Sequence, residues 1–379
     1  MNTSEIKSLT GIRGIAALYV VVLHWFRVLH PTLPGTGSIT TLLANFLGHG
    51  YLAVDLFFAL SGFVLSLNAF KTFHSGVSTP GYKAFMYKRF CRLFPLYLVM
   101  TVVYFFCFHQ VSLASFAVDL TLFQGLVPVL TSSIPPGWSL TNEWMIYFIF
   151  PFIFYFIITK RKYIWTLVPL AMVCLLVVCC FRAYLFNWAN YKEIKDHHGF
   201  YAVIAQTRGP ASFLRTGASY LLGIFAYFIY SKKIKTQWLG IIVVPAFLLL
   251  LWPSADFLII MLMPALILYV TNKNWLNSFF SSGPVHYLGL ISYSLYVNHY
   301  IFIFTYKSVS RATGIDSNWF SLSYLIISTL LLSTLTFYAI ERPGLNWLRQ
   351  IGPKKVQAQP APVIAEPAQP VEPRGSATQ

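Results

Sequence analysis

The chain has 379 residues, of which 57% are hydrophobic and only 10% charged. A soluble domain carries about 25% charged residues. No soluble core hides this much apolar surface, so the composition excludes an ordinary soluble enzyme, a disordered chain and a disulfide scaffold. It points to a polytopic membrane protein. The net charge of +16 does not indicate nucleic-acid binding, because the basic residues sit in short clusters between apolar runs. That is the pattern of the positive-inside rule.

Ten apolar runs approach the roughly 20 residues needed to cross a bilayer. They fall at 12–29, 50–70, 93–110, 140–159, 163–182, 212–230, 238–252, 255–271, 286–306 and 320–341. They predict an all-α integral membrane domain over residues 1–345 with about ten transmembrane helices. The seventh and eighth runs are short and meet at Trp252-Pro253-Ser254, a tight turn. The stretch 112–130 is apolar but carries Asp119 and Pro128, and it predicts a re-entrant or interfacial helix rather than a span. With ten spans and the N-terminus inside, most of the 27 Lys and Arg residues fall on the cytoplasmic side. Both termini are then cytoplasmic. No small-residue cleavage site follows the first run, so no cleavable signal peptide is expected. Residues 346–379, Pro-rich from Pro353, predict a disordered cytoplasmic tail. The polar loop 183–211 is expected outside. No internal repeat of the transporter kind is evident.

An ionisable side chain in hydrocarbon costs a few kcal/mol or more unless it is paired or faces water. Arg13 and His24 are eleven residues apart in the first run. Eleven helical steps close three turns plus about 20°, so the two share one face, about 16.5 Å apart along the axis. Arg13 is expected at the cytoplasmic mouth and His24 in the outer half. Asp55, Glu143 and His299 fall in the same outer leaflet on three other helices. Glu143 is expected in the first turn of its helix, after the breaker Pro135-Pro136-Gly137 and a Ser139 cap. Asp55 suits either a structural partner for a nearby base or a place in an acceptor pocket, and His299 either a helix–helix hydrogen bond or a site role. Lys88, Arg89 and Arg92 start the third span on the cytoplasmic side, where Arg89 and Arg92 at i, i+3 can grip one anion. Glu341-Arg342 reads as a structural helix-end pair. The other histidines, His49 among them, read as solvated. The five cysteines show no CxxC or His/Cys ligand spacing, so free thiols are expected and no metal site. His49 and Asp55 miss an HxxxxD motif by one residue.

Six segments carry a family resemblance. They are "LTGIRGIAALYVVVLHW" with Arg13-x10-His24, "GYLAVDLFFALSGFVLS" at 50–66, "KRFCRLFPLY" at 88–97, "WSLTNEWMIYFIFP" at 138–151, "LGLISYSLYVNHY" at 288–300 and "ERPG" at 341–344. In this order they resemble the membrane acyltransferase 3 family, the O-antigen and exopolysaccharide O-acetyltransferase group. The resemblance implies acyl transfer, commonly of acetyl, from cytoplasmic acyl-CoA to a hydroxyl of a carbohydrate or lipid-linked glycan. It implies no permanently bound cofactor, a bacterial inner membrane, and polysaccharide-assembly proteins as partners. Arg13 and His24 match the family's first-helix pair, Arg89 and Arg92 its RxxR pair, and Glu143 its SLxxE glutamate.

On this reading Arg13, Lys88, Arg89 and Arg92 bind the phosphates of coenzyme A. His24 acts as general base or transient acyl carrier, and Glu143 orients the imidazole. Asp55, Ser61, Tyr293 and His299 are expected to line the acceptor pocket. Three other readings stand beside it. One is a transporter with its ions along the path, and another is an accessory subunit of polysaccharide export. The third is the other multi-span acyltransferase class (the MBOAT type), in which Asn298-His299 supplies the intramembrane histidine.

Overall fold

The computed structural model describes residues 5–33, 37–108, 111–126, 132–180 and 209–352. All regular structure among them is helical. The helices are α1 (Lys7–Leu29), α2 (Ser38–Gly48), α3 (Leu52–Phe73), α4 (Thr79–Phe108), α5 (Leu113–Asp119), α6 (Gly137–Thr159), α7 (Leu167–Cys180) and α8 (Gly209–Ser231). There follow α9 (Gly240–Ala246), α10 (Asp256–Thr271), α11 (Trp275–Ser281), α12 (Gly283–Leu290), α13 (Ser292–Thr313), α14 (Asn318–Thr336) and α15 (Arg342–Ile351). A π turn, Phe337–Glu341, joins the last two.

Each of the ten apolar runs is helical. Seven helices are long and apolar enough to cross a membrane, and an eighth qualifies if α10 and α11, bent by 81° at their break, count as one span. The other expected spans differ for legible reasons. Run 238–252 gives only the short Gln237–Leu251 helix. Run 286–306 breaks at Ile291 into α12 and α13, and α13 is polar because Tyr293, Ser294, Tyr296, Asn298 and His299 are all buried in it. The stretch 112–130 supplies only the seven-residue α5 and a 3-10 turn, well short of a span. Asp119 there is buried and accepts a 2.5 Å hydrogen bond from the Ser133 amide, and the Tyr97 hydroxyl donates to its carbonyl at 2.9 Å. Helix α15 runs to Ile351, so the boundary expected at 345/346 cuts a helix. The tail from Pro353 and most of the loop 183–211 lie outside the described residues.

Apolar side chains face outward as well as inward. Phe152, Phe156, Leu331 and Leu335 are each more than half exposed, and Trp165, Trp238, Trp252, Trp275 and Trp319 stand exposed at helix ends and turns. An apolar belt rimmed by tryptophan is the surface a bilayer selects. Between helices the contacts are close because small residues sit at the crossings, as in membrane bundles generally. A Cβ on Gly289 of α12 would lie 2.0 Å from the Thr10 carbonyl oxygen of α1, and one on Gly223 of α8 would lie 2.0 Å from that of Ala59 in α3. Both obstacles are backbone and cannot step aside.

Gly289→Val and Gly223→Val are therefore expected to destabilise by at least about 1–3 kcal/mol, the usual range for overpacking. Gly217→Ala, in a helix and with nothing within 4 Å of the new Cβ, is expected to be neutral or stabilising. Melting temperatures in detergent decide the contrast.

Candidate active site

Helix α1 is unbroken from Lys7 to Leu29, so Arg13 and His24 do share one face, with Ala17, Val20 and Val21 buried between them. The Arg13 end of that face opens on a pocket of about 360 Å³, whose charged lining comprises Glu5, Arg13, Arg92, Glu341 and Arg342. Arg92 Nη1 donates to Glu341 Oε1 at 3.0 Å and stacks over the Tyr293 ring at 5.7 Å. The π turn aims Glu341 inward, where its second oxygen accepts from Ser294 at 2.7 Å. Glu341 thus pairs with Arg92 of another helix, not with Arg342 as the sequence suggested, because the π turn rotates it off the Arg342 side.

Arg13 and Arg89 are different. Among the described residues neither makes a hydrogen bond or an ion pair, and the Nε of each is buried. Arg89 lies over the rings of Phe85 and Tyr147, each at 5.8 Å. Arg13 lies in the field of Arg92, Glu143 and Tyr147. A guanidinium held inside a bundle without a hydrogen-bonded counter-charge is costly unless something anionic joins it. Lys88 is exposed and does not line the pocket.

Above this socket stands Glu143. Its Oε1 accepts from Ser61 at 3.2 Å and from Tyr147 at 2.5 Å. The expected pairing with His24 is not formed. The reason lies in the helix start: α6 begins at Gly137, three residues before the expected span, with Pro136 as cap and no side-chain cap bond. Ser139 is therefore inside the helix, where its hydroxyl meets Tyr296 OH at 2.7 Å. Glu143 comes a further turn along, nearer the arginines. Tyr293, Tyr296 and His299 recur every third residue on α13, climbing about 9 Å from the arginine socket toward the outer end of α1. Tyr293 also donates to the Leu93 carbonyl at 2.7 Å.

At the top of this line two imidazoles meet. His299 Nε2 lies 3.1 Å from His24 Nδ1, with ring centroids 4.9 Å apart. His24 Nδ1 also contacts its own helix at the Val20 carbonyl, 2.9 Å away, and Tyr300 packs edge-on at 4.8 Å. His299 is fully buried, whereas His24 is partly exposed. The sequence placed both residues in one leaflet but did not foresee that they touch.

Asp55 is fully buried and bidentate with Arg215, with contacts of 2.9 and 3.1 Å to Nε and a further hydrogen bond from Nη2, while Ser219 donates at 3.1 Å. Its oxygens are committed to the α3–α8 interface. Sequence reasoning missed Arg215. The available signal was a carboxylate in the outer turn of one span needing a base in the outer turn of another. His49, expected to be solvated, is fully buried, with its Nε2 3.0 Å from Asp256 Oδ1. The Gln237–Leu251 helix folds back over it, and the Leu250 carbonyl contacts His49 Nδ1 at 2.9 Å. Asp55→Ala is expected to lower stability by about 3–5 kcal/mol, because it strands a buried guanidinium. Asp55→Leu with Arg215→Met should recover part of the loss. Thermal melts of the three proteins are the measurement.

The sequence matches a family model and known proteins. A family model described as an acyltransferase domain, of the acyltransferase 3 type, matches residues 6–338. "Protein 2 in picA locus" of Rhizobium radiobacter is 36% identical over 163 residues, which are 36% of this chain and 75% of that protein. "Acyltransferase MdmB" of Streptomyces mycarofaciens is 31% identical over 159 residues, 39% of this chain and 38% of that protein. No solved structure matches. Because the family model spans nearly all the described helices, including both ends of the Arg13–His24 face, the chain is a member of the acyltransferase 3 family.

Proposed function

We propose that this acyltransferase moves an acyl group, acetyl in the first instance, from cytoplasmic acyl-CoA to a hydroxyl of a carbohydrate or lipid-linked glycan on the far side of a bacterial inner membrane. The observation that carries the reading is Arg13, which lines the pocket without an ion-pair partner among the described residues and lies about 16.5 Å along one helix face from His24, with a second such arginine, Arg89, on α4. An acyl-CoA is anionic at one end and reactive at the other, at the end of a long thin arm. The socket suits the phosphates through charge-assisted hydrogen bonds. The line of Tyr293 and Tyr296 leads the arm toward His24.

Histidine suits proton transfer near neutral pH. In the step proposed, His24 Nε2 takes the proton of the acceptor hydroxyl as its oxygen attacks the thioester carbonyl. A C–O bond forms and the C–S bond breaks. The thiolate leaves and takes the proton back from the imidazolium, so protons and charge balance. Glu143, bound by Ser61 and Tyr147 and lying in the field of Arg13, offsets positive charge beside Arg13 rather than orienting His24. Lys88 adds charge outside the mouth.

His24→Ala is expected to cut transfer on the order of 10²–10⁴-fold with insertion and melting unchanged. Undiminished acylation by this variant would remove the assignment. Arg13→Gln and Arg89→Gln are each expected to weaken binding of CoA itself about 10- to 100-fold, the loss of one charged hydrogen bond at about 1.5–3 kcal/mol. Calorimetry on the purified protein reads this, and unchanged affinity in the double variant overturns the phosphate role. Mass and NMR comparison of surface glycans from cells with and without the protein identifies the acceptor and the acyl group.

A further inference from the structure

We infer that His299 is the positioning residue of His24, fixing its proton on Nδ1 and leaving Nε2 as the only basic nitrogen that faces the acceptor. The inference rests on the reading of His24 as base and names the group that does for it what a carboxylate does in a serine triad.

The argument is a count of protons. A neutral imidazole carries one N–H and one lone pair. His299 Nδ1 lies 3.2 Å from the Leu295 carbonyl oxygen, which can only accept. The His299 proton is therefore on Nδ1, and its Nε2 is a lone pair. That lone pair points at His24 Nδ1 from 3.1 Å, and the Val20 carbonyl oxygen points at the same nitrogen from 2.9 Å. Two acceptors converge on His24 Nδ1, so the proton is there and is shared between them. His24 Nε2 is left bare. The opposite assignment sets a lone pair against the Val20 oxygen, and one against the Leu295 oxygen as well. A single placement of protons satisfies every contact of both rings.

Burial gives the pair a back and a front. His299 exposes 0% of its surface, so no acceptor sugar reaches it, and the expected place in an acceptor pocket passes to His24, which is partly exposed. Tyr300, 5.1 Å from the His299 ring and 4.8 Å from the His24 ring, packs against both and resists their rotation. When His24 gains a proton at Nε2, its Nδ1–H becomes a stronger donor, and the His299 lone pair is in place to accept it. A neutral imidazole performs this orienting role without the cost of burying a carboxylate in the bilayer. The carboxylate expected in this role, Glu143, is engaged by Ser61 and Tyr147.

Three substitutions test the inference in membranes from expressing cells, read as CoA released from acetyl-CoA and as CoA affinity. His299→Gln places an amide oxygen where Nε2 was and is expected to keep at least a tenth of kcat. His299→Leu offers no acceptor and is expected to lose kcat on the order of 10²-fold, with the KM for acetyl-CoA unchanged. His299→Asn keeps a buried polar group whose amide stops a bond short of His24, and it is expected to be as slow as Leu. It serves if the Leu variant does not fold. Full kcat in the Asn and Leu variants overturns the inference, as does a Gln variant as slow as Asn. If His24→Ala is inactive while His299→Leu is fully active, only this inference fails. If His24→Ala is active, the base reading fails with it.

Discussion

A straight first helix sets the geometry of everything else. Helix α1 carries no proline and no break between Lys7 and Leu29. Its pitch alone puts a cation toward one end and an imidazole toward the other end of one face. The other helices complete that face: α4 brings Arg89 and Arg92 to the lower end, α6 brings Glu143 to the middle, and α13 supplies a run of tyrosines ending at His299. The close crossing of Gly289 on Thr10 locks α1 against α12 and, through it, sets the height of α13.

The polar groups in the bundle divide into two kinds. One kind is closed. Asp55 with Arg215 is a matched pair of charges at hydrogen-bond distance, His49 lies 3.0 Å from Asp256, and both pairs are sealed from solvent. Such pairs specify which helices meet more than they stabilise them. The other kind is open. Arg13 and Arg89 have no such match among the described residues, and His24 keeps one nitrogen unengaged. In a medium where an unmatched charge costs several kcal/mol, these open residues are the ones on which the proposed donor and acceptor sites rest.

Much of this was legible in the chain. Apolar runs located the long helices of the bundle, though not α2, α11 or α15, because hydropathy over about 20 residues is a strong signal and short helices carry none. The Arg13–His24 face followed from helical periodicity alone. What escaped was tertiary. The contact between His24 and His299 joins residues 275 positions apart, and no local pattern encodes it. Ser139 was taken for a cap because Pro135-Pro136-Gly137 looked like a loop. The helix instead begins at Gly137, with Pro136 as its cap, which sets Glu143 about a turn further along and away from His24. His49 looked solvated because it ends a short run, but a helix too short to span folds back over it. Arg215 was overlooked because a lone arginine near a span end is ordinarily explained by the loop beside it.

The π turn before α15 has a consequence for how the lower end of the site is regulated by shape. Such a turn is one residue more than an α-helix needs. Taking that residue out would swing Glu341 by about 100°, from the interior toward the lipid. Arg92 would then lose its carboxylate and turn, as a third unneutralised guanidinium, into the chamber beside Arg13. The single surplus residue therefore keeps Glu341 turned inward, where it accepts from Arg92 and Ser294 and neutralises one of the arginines of the socket.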